Sequence, residues 1–362
     1  MSVMKKKKIY KMAIIGPIIL FVVIVVGGFC IMDKRKLEGT IIKEYLGDYE
    51  RPKIATYSDG KYYSLDFAYG AGIYDFHVGS RPDSREFLFT TKYGEIIDVA
   101  AEGDWLVWGE DYQSKKRVEY KAYHVESRAM QVLKVTETEN VKPYPIIALA
   151  HGKAFFIECL YPEKEIVIWQ YDLENNQEKE IYRFDSYELY KPLVETSGDY
   201  LYAPVGMTDG KVELMEYSIL TGEIRMVPLP EKVHILYALD YDRDRDIFAL
   251  YYQEENRKSE TIALYRAATG NLKEIGEVNK KQRMERDKLL FWNGNAVWIE
   301  YNDTWYAMRE INCRRILHIY NVDKEKTYIL NQERVAEYFF DETALYAISI
   351  DEEGKHYINR VN

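Results

Sequence analysis

The densest group of chemically active side chains in this sequence is the acidic segment Asp240–Asp246, in which every second residue is an aspartate. If the segment is extended, its four aspartates share one side of a strand and offer the oxygen ligands that Ca²⁺ prefers. The glycine that follows the third aspartate of a calcium loop is missing, and Arg243 and Arg245 add internal positive charge. Two interpretations stay open: a calcium site, or a charged hairpin turn.

Other signatures of catalysis or metal binding are absent from the sequence. The 6 histidines form no His-x-x-x-His pair and the 3 cysteines no Cys-x-x-Cys pair, so no zinc site is predicted. There is no Gly-x-Ser-x-Gly elbow, and Gly70–Gly72 lacks the third glycine and the helix of a phosphate-binding loop. We therefore predict no catalytic residue, no cofactor and no metal ligand.

Aromatic side chains are the broadest signal in the composition, with 33 tyrosines, 13 phenylalanines and 6 tryptophans. Most of them fit the interior of a β-rich fold. Tyr301, Trp305 and Tyr306 flank a turn at Asn302–Asp303, where aromatic rings could stack on a sugar or hold a peptide. We predict these three residues as a binding platform, against the simpler interpretation that they are packing residues.

A repeat in the sequence predicts the strands that position these groups. A tight polar turn followed by an apolar or aromatic strand begins near Ser58, Glu102, His151, Ser197, Asp242, Asn293 and Asp341. Glycine, aspartate or asparagine at the turn suits the positive φ that a tight hairpin requires. Repeats of ~40–50 residues that contain several strands are typical of β-propellers. We therefore predict an all-β fold, a seven-bladed β-propeller, with six or eight blades as alternatives.

A second motif recurs in the same phase, with an aromatic residue, one intervening residue and then an aliphatic residue or alanine. It starts at Phe76, Tyr123, Tyr171, Tyr217, Tyr265 and Tyr320, and a degraded copy starts at Asn359. Alternate residues on a strand face the same side, so both members of each pair should point into the space between blades. The alternative is a set of unrelated hairpins in a β-sandwich.

The last blade is predicted to be completed by the beginning of the chain. A further strand pattern follows each of the first six aromatic motifs, but only Asn362 follows Val361. Thr40–Leu46 has the required strand pattern. We predict that it pairs beside the last strand and closes the ring, because closure removes exposed sheet edges.

An uncharged apolar segment of 21 residues, Met12–Met32, precedes the repeats. As a helix it spans about 31 Å, which matches a hydrocarbon core of ~30 Å. Lysines before it outnumber the basic residues after it, which favours a cytoplasmic N-terminus. The predicted organisation is a cytoplasmic basic tail (1–11), a transmembrane helix (12–32), a tether (33–39) and an extracytoplasmic propeller (40–362). A cleaved signal peptide and a lipoprotein attached through Cys30 are the alternatives.

Net charge limits the kinds of partner that we expect, and cysteine content limits the disulfides. The net charge of −10 disfavours a nucleic-acid partner, because the phosphate backbone attracts basic proteins. Cys159 and Cys313 belong to the third and sixth repeats, on nearly opposite sides of the predicted ring, so no disulfide between them is expected.

The chain resembles membrane-anchored bacterial β-propellers of the TolB-like or WD40-like superfamily. The similarity rests on Tyr57–Tyr63 and Gly72–Phe76, which match a Ser-Pro-Asp-Gly turn and the Ile-Tyr strand that follows, although the proline is absent. No repeat carries the Gly-His and Trp-Asp signature of WD40 repeats. The resemblance implies a binding platform and assigns no site residue.

These observations predict a binding or scaffolding module on the outer face of a bacterial membrane, with a protein, peptide or cell-wall glycan as ligand. A rigid ring with variable loops suits recognition. The alternative is a propeller-fold hydrolase or lyase with its site in the central channel. A signalling receptor is a third hypothesis, although a cytoplasmic tail of 11 residues has no room for a transmitter domain.

Overall fold

The computed structural model describes residues 41–45, 54–67, 73–92, 94–161, 163–185, 193–206, 212–255, 259–278, 282–284, 289–302, 315–330, 334–340, 344–351 and 355–361. Within these ranges the chain forms 29 β-strands and one short 3₁₀ helix, Gln113–Lys115. The strands form seven antiparallel sheets arranged as the blades of a propeller, which confirms the predicted fold and blade number. Each blade has strands A to D from the centre to the rim.

The strands of blades one to three follow chain order. Blade one contains β2 (Ile54–Ser58), β3 (Lys61–Phe67), β4 (Ile73–Arg81) and β5 (Ser84–Lys92). Blade two contains β6 (Glu95–Glu102), β7 (Trp105–Tyr112), β8 (Arg117–His124) and β9 (Ala129–Glu137). Blade three contains β10 (Val141–Ala150), β11 (Lys153–Leu160), β12 (Glu165–Asp172) and β13 (Gln177–Asp185).

The A strand of blade six is divided in two, and blade seven takes its D strand from the start of the chain. Blade four contains β14 (Glu195–Ser197), β15 (Tyr200–Gly206), β16 (Val212–Ser218) and β17 (Ile224–Pro228). Blade five contains β18 (Ile235–Asp242), β19 (Ile247–Gln253), β20 (Glu260–Arg266) and β21 (Asn271–Val278). Blade six contains β22 (Gln282–Met284), β23 (Leu290–Trp292), β24 (Asn295–Asn302), β25 (Arg315–Asn321) and β26 (Lys326–Leu330). Blade seven contains β27 (Arg334–Phe340), β28 (Leu345–Ile350), β29 (His356–Val361) and β1 (Ile41–Tyr45).

The ring is closed by the predicted N-terminal segment. β1 pairs antiparallel with β29 along five residues, from Ile41 opposite Val361 to Tyr45 opposite Tyr357. The two ends of the chain thus share one sheet, and the last blade gains the fourth strand that the C-terminal sequence lacks.

Seven hydrophobic clusters of the described residues lie between the blades, one at each seam. The aromatic motifs supply them as predicted: Tyr217 and Ile219 pack at the seam of blades three and four, and Tyr171 and Leu173 at the seam of blades two and three. The core of this protein is therefore a circle of separate seams rather than one central cluster.

The turns between A and B strands follow the predicted chemistry. Both turn residues have positive φ at His151–Gly152 and at Asn293–Gly294. This conformation matches the twist of the flanking strands and favours glycine and asparagine. The short A-to-B turns thus set the antiparallel pairing of the A and B strands within each blade.

The predicted transmembrane helix, 12–32, and the tether, 33–39, lie outside the described residues. Among the residues that are described, no helix has the length and apolar character needed to cross a bilayer. Cys159 is buried and free, whereas Cys30 and Cys313 lie outside the described ranges.

Candidate functional site

The two faces of the ring differ in the length of their connections. On one face, which we call the turn face, the A-to-B and C-to-D connections contain two to five residues. On the other, the loop face, the B-to-C connections and the links between blades contain two to twelve residues. Longer connections on a rigid scaffold are where recognition residues concentrate, so the loop face is the candidate site.

The longest connection of the loop face contains two of the three predicted platform residues. It joins β24 to β25 and covers residues 303–314, which include Trp305 and Tyr306. Tyr301 is the second-to-last residue of β24, where its backbone pairs with Arg315 and Arg283. Trp305 and Tyr306 lie outside the described residues, so their role as a platform stays a prediction.

The described part of the loop face at blade two is rich in cations. The ring of Tyr112, at the end of β7, has Lys115 Nζ and Lys121 Nζ 5.2 Å from its centroid and Arg117 Cζ at 5.6 Å. Tyr112 is buried beneath these side chains, while Lys115 is exposed. Arg117 and Lys121 are paired with Glu119 and Glu110, so Lys115 is the one of these three cations that is exposed.

Buried carboxylates hold this group in place. Lys121 Nζ lies 2.8 Å from Glu110 Oε2 and 3.0 Å from Glu119 Oε2. Burial, followed by the hydrogen bond to Glu110, raises the pKa of the Tyr112 phenol above its usual value. Burial lowers the pKa of Lys121, but the bonds to Glu110, Tyr112 and Glu119 outweigh it and leave a raised pKa, so this lysine stays charged.

The neighbouring part of the loop face belongs to blade three. Tyr161 is 45% exposed directly after β11, and its backbone N–H donates to the Asn140 carbonyl at 2.8 Å. Lys142 Nζ lies 5.4 Å from the ring centroid of Tyr144. The link between blades two and three, 138–140, also contacts blade two, because the Thr138 N–H donates to the Lys116 carbonyl at 2.7 Å.

The acidic segment Asp240–Asp246 does not stay extended. β18 ends at Asp242, and a four-residue turn follows. The carboxylates diverge: Asp240 accepts from the Phe291 N–H at 2.6 Å, Asp242 from Arg245 at 3.1 Å, and Asp246 from the Tyr241 hydroxyl at 2.8 Å. The geometry is that of the charged hairpin turn, and the described residues contain no group of three His, Cys, Asp or Glu side chains placed to hold a metal ion.

Acidic side chains of the inner strands take part in joining blades. Asp98, in β6, accepts the Ile147 N–H of blade three at 2.7 Å, and Asp240 makes the equivalent contact to blade six. Burial raises the pKa of Asp240 to about 7, although the two backbone N–H bonds to its carboxylate lower it. The sequence analysis did not predict this linking role.

Three histidines face carboxylates, each in a different part of the ring. His77 Nδ1 lies 3.5 Å from Asp66, His151 Nε2 lies 3.0 Å from Asp199, and His318 Nε2 lies 3.3 Å from Glu300. The second of these pairs joins the turns of blades three and four, which indicates a role in holding adjacent blades together.

No family model matches the chain, and no curated protein sequence is significantly similar to it. Solved structures share the fold. The β-propeller domain of the Trilobed protease from Pyrococcus furiosus, described as having an open velcro topology, aligns with a TM-score of 0.55 at 10% identity over 86% of this chain and 94% of that one.

Two other solved structures align with the chain. Oligogalacturonate lyase from Vibrio parahaemolyticus aligns with a TM-score of 0.53 at 12% identity over 91% of this chain and 93% of the lyase. TolB from Acinetobacter baumannii aligns at 0.47 and 13% identity over 70% of this chain, which spans 58% of the length of that structure. At identities of 10% and 12%, the alignments with the protease domain and the lyase show the β-propeller fold alone.

Proposed function

We propose that this chain is a membrane-anchored, extracytoplasmic binding module whose loop face recognises a protein, a peptide or a cell-wall glycan. The observation that carries the proposal is the asymmetry of the ring: connections of the turn face contain at most five residues, whereas on the loop face twelve residues separate the end of β24 from the start of β25. Trp305 and Tyr306, the predicted platform residues, belong to that interval of the sequence. Aromatic rings and exposed lysines of this face offer stacking and hydrogen bonds to such ligands.

The direction of β1 supports this use of the loop face. β29 runs from the loop face to the turn face, and β1 runs antiparallel to it from Ile41. The described chain therefore starts at the turn face, on the side of the ring opposite to the loop face.

The binding test uses the full-length chain in detergent with two probes, soluble peptidoglycan fragments and a library of extended peptides. Replacing Trp305 and Tyr306 by alanine is expected to weaken binding about tenfold or more, the effect of losing aromatic anchors. Phe87→Ala is the matched control, because Phe87 is an exposed aromatic residue in a rim strand. Equal binding by all three proteins would contradict the assignment of the loop face.

A separate experiment tests the location. An alkaline phosphatase fused after Asn362 is expected to be active, and a green fluorescent protein fused at the same place to be dark, because the propeller is proposed to lie outside the cytoplasm. The opposite pattern would reject the location without affecting the binding surface.

The alternative, a hydrolase or lyase in the central channel, predicts a different outcome. Chemical conversion of a probe, abolished by Asp98→Asn or Asp240→Asn, would favour it. Both carboxylates already accept backbone N–H groups of the next blade, which is why we prefer the binding function.

A further inference from the structure

The rim of blade two presents an unusual edge strand. β9 spans nine residues, Ala129–Glu137, and no described strand pairs with its outer side. Three of its apolar side chains are half exposed: Met130 at 51%, Val132 at 52% and Val135 at 49%. Its ionisable residues are Lys134 and Glu137. Long apolar edges are templates for pairing with another strand.

Three of the other outer strands carry features that prevent such pairing. β13 has four charged side chains between Glu178 and Arg183, β17 is five residues long and ends at Pro228, and β26 is also only five residues long. Charges, proline and shortness all discourage edge-to-edge contact. Among the described D strands of nine residues, β5, β9 and β13, β9 has the fewest charged side chains, with two against three in β5 and five in β13.

A bulge keeps the apolar side chains of β9 on one face. Met130 lies opposite Tyr123, Val132 opposite Lys121 and Val135 opposite Glu119, all alternate residues of β8. Leu133 is the extra residue, so Val135 stays on the same side as the other two. Lys134 points to blade three instead, where its ammonium group contacts Glu178 and lies 3.9 Å from the ring centroid of Trp169.

We propose that two copies of this chain pair edge to edge through β9 in antiparallel orientation. With Met130 opposite Val135 of the second copy, the apolar rows of both strands lie on the same face of a joint sheet. This register places Arg128 opposite Glu137 of the second copy, and symmetry repeats the pair. Both side chains are exposed: Glu137 is the last residue of β9, and Arg128 is the turn residue directly before its first residue, with φ of 57°.

The charge pattern selects this orientation. A parallel, in-register pair would set Arg128 against Arg128, Lys134 against Lys134 and Glu137 against Glu137. Like charges directly opposite each other destabilise a pair of strands, whereas opposite charges stabilise it. The charges of the two β9 edges are therefore complementary only when the two strands run antiparallel.

This dimer is compatible with two anchors in one membrane, a point that rests on the proposed membrane anchoring. The two-fold axis is perpendicular to the sheet of blade two and hence tangential to the ring. Seven blades divide the circle into steps of about 51°, so blade seven lies about 103° from blade two, close to that axis direction. Both copies therefore direct blade seven, with its N-terminal strand, to the same side.

The first test measures the oligomeric state of the full-length chain in detergent by light scattering coupled to size-exclusion chromatography. The wild-type chain is expected to dimerise, and Val132→Lys to shift it to monomer with self-association weakened about tenfold or more. Leu220→Lys is the matched control, because Leu220 is 63% exposed in a turn of blade four. Thermal unfolding of each variant verifies that it is folded.

A charge exchange tests the orientation. Arg128→Glu and Glu137→Arg are each expected to weaken the dimer, because each creates two like-charge pairs, and the double variant is expected to restore it. A monomeric wild-type chain at every concentration, or a dimer insensitive to Val132→Lys, would overturn the proposal. Failure of the double variant to recover the dimer would also overturn the proposal. The readout is independent of ligand binding, so its failure leaves the proposed function standing.

Discussion

At the scale of single residues, buried polar groups hold neighbouring strands and blades together. Glu110 is 1% exposed and accepts hydrogen bonds from Trp108 Nε1 and Lys121 Nζ, both at 2.8 Å, and from the Tyr112 hydroxyl. Glu158, in blade three, accepts from Thr136 of blade two, and burial raises the pKa of its carboxyl group. Burying a charged side chain costs desolvation free energy, and surrounding hydrogen-bond and ion-pair partners offset part of that cost.

Glu110→Ala is expected to lower the free energy of unfolding by about 3–5 kcal/mol, because it leaves the Lys121 ammonium group buried with fewer partners. Glu110→Gln keeps an acceptor for Trp108 and should recover part of that loss. Chemical denaturation measures both variants. Equal stability of Glu110→Ala and the wild-type protein would show that water replaces the carboxylate.

Asp240 predicts a pH dependence. Its pKa in the folded protein is about 7, above the usual 3.8, because of burial. Between about pH 4 and pH 7 the folded protein keeps a proton that the unfolded chain has released, so the free energy of unfolding falls as pH rises through this window. The total loss is on the order of 4 kcal/mol.

Asp240→Asn is expected to remove this slope, because an amide does not ionise. Denaturation at a series of pH values between 4 and 8 compares the variant with the wild-type protein. Parallel stability curves for the two proteins would refute the assignment of the slope to Asp240.

At the scale of elements, turns and strand ends lock consecutive blades. Glu102 of blade two accepts the backbone N–H groups of His151 and Gly152 at 2.6 and 2.9 Å. Asp199 of blade four contacts both His151 of blade three and Arg243 of blade five at 3.0 and 3.1 Å. The turn face is therefore a chain of contacts from blade to blade, which fits its short connections.

β1 is the strand whose loss tests the contribution of ring closure to stability. Replacing residues 41–45 by a Gly-Ser sequence is expected to lower the thermal midpoint and promote aggregation, because the edge of β29 would lose its partner. The same replacement within 33–39 is the control and should leave the midpoint unchanged. Differential scanning calorimetry and light scattering report the two effects. An unchanged midpoint after replacement of 41–45 would mean that closure contributes little to stability.

At the scale of the whole molecule, the ring is continuous except at the gap between Val361 and Ile41, which lie opposite each other. A four-residue linker, the length of the turn 322–325, would convert this gap into a seventh C-to-D turn. We expect a circular permutant with that linker and new ends within 303–314 to fold in a single transition, because all seven seams remain.

Opening the same permutant between Val107 and Trp108, in the middle of β7, is expected to abolish folding, since both residues are fully buried. Circular dichroism and calorimetry distinguish the outcomes. A folded protein in both cases would show that the blades form without intact B strands.

The sequence alone determined the all-β class, the seven repeats, the aromatic pairs of each seam and the closing strand. These depend on turn chemistry and on the alternation of side chains along a strand, both of which are local. Tertiary structure decided which buried acids meet which N–H groups, as with Asp98 and Ile147, and that Asp240–Asp246 turns instead of extending. It also showed that β9 leaves its apolar side chains exposed at the rim. The contacts of Asp98 and Asp240 join residues 49 and 51 positions apart, whose geometry is set only when the blades close into a ring.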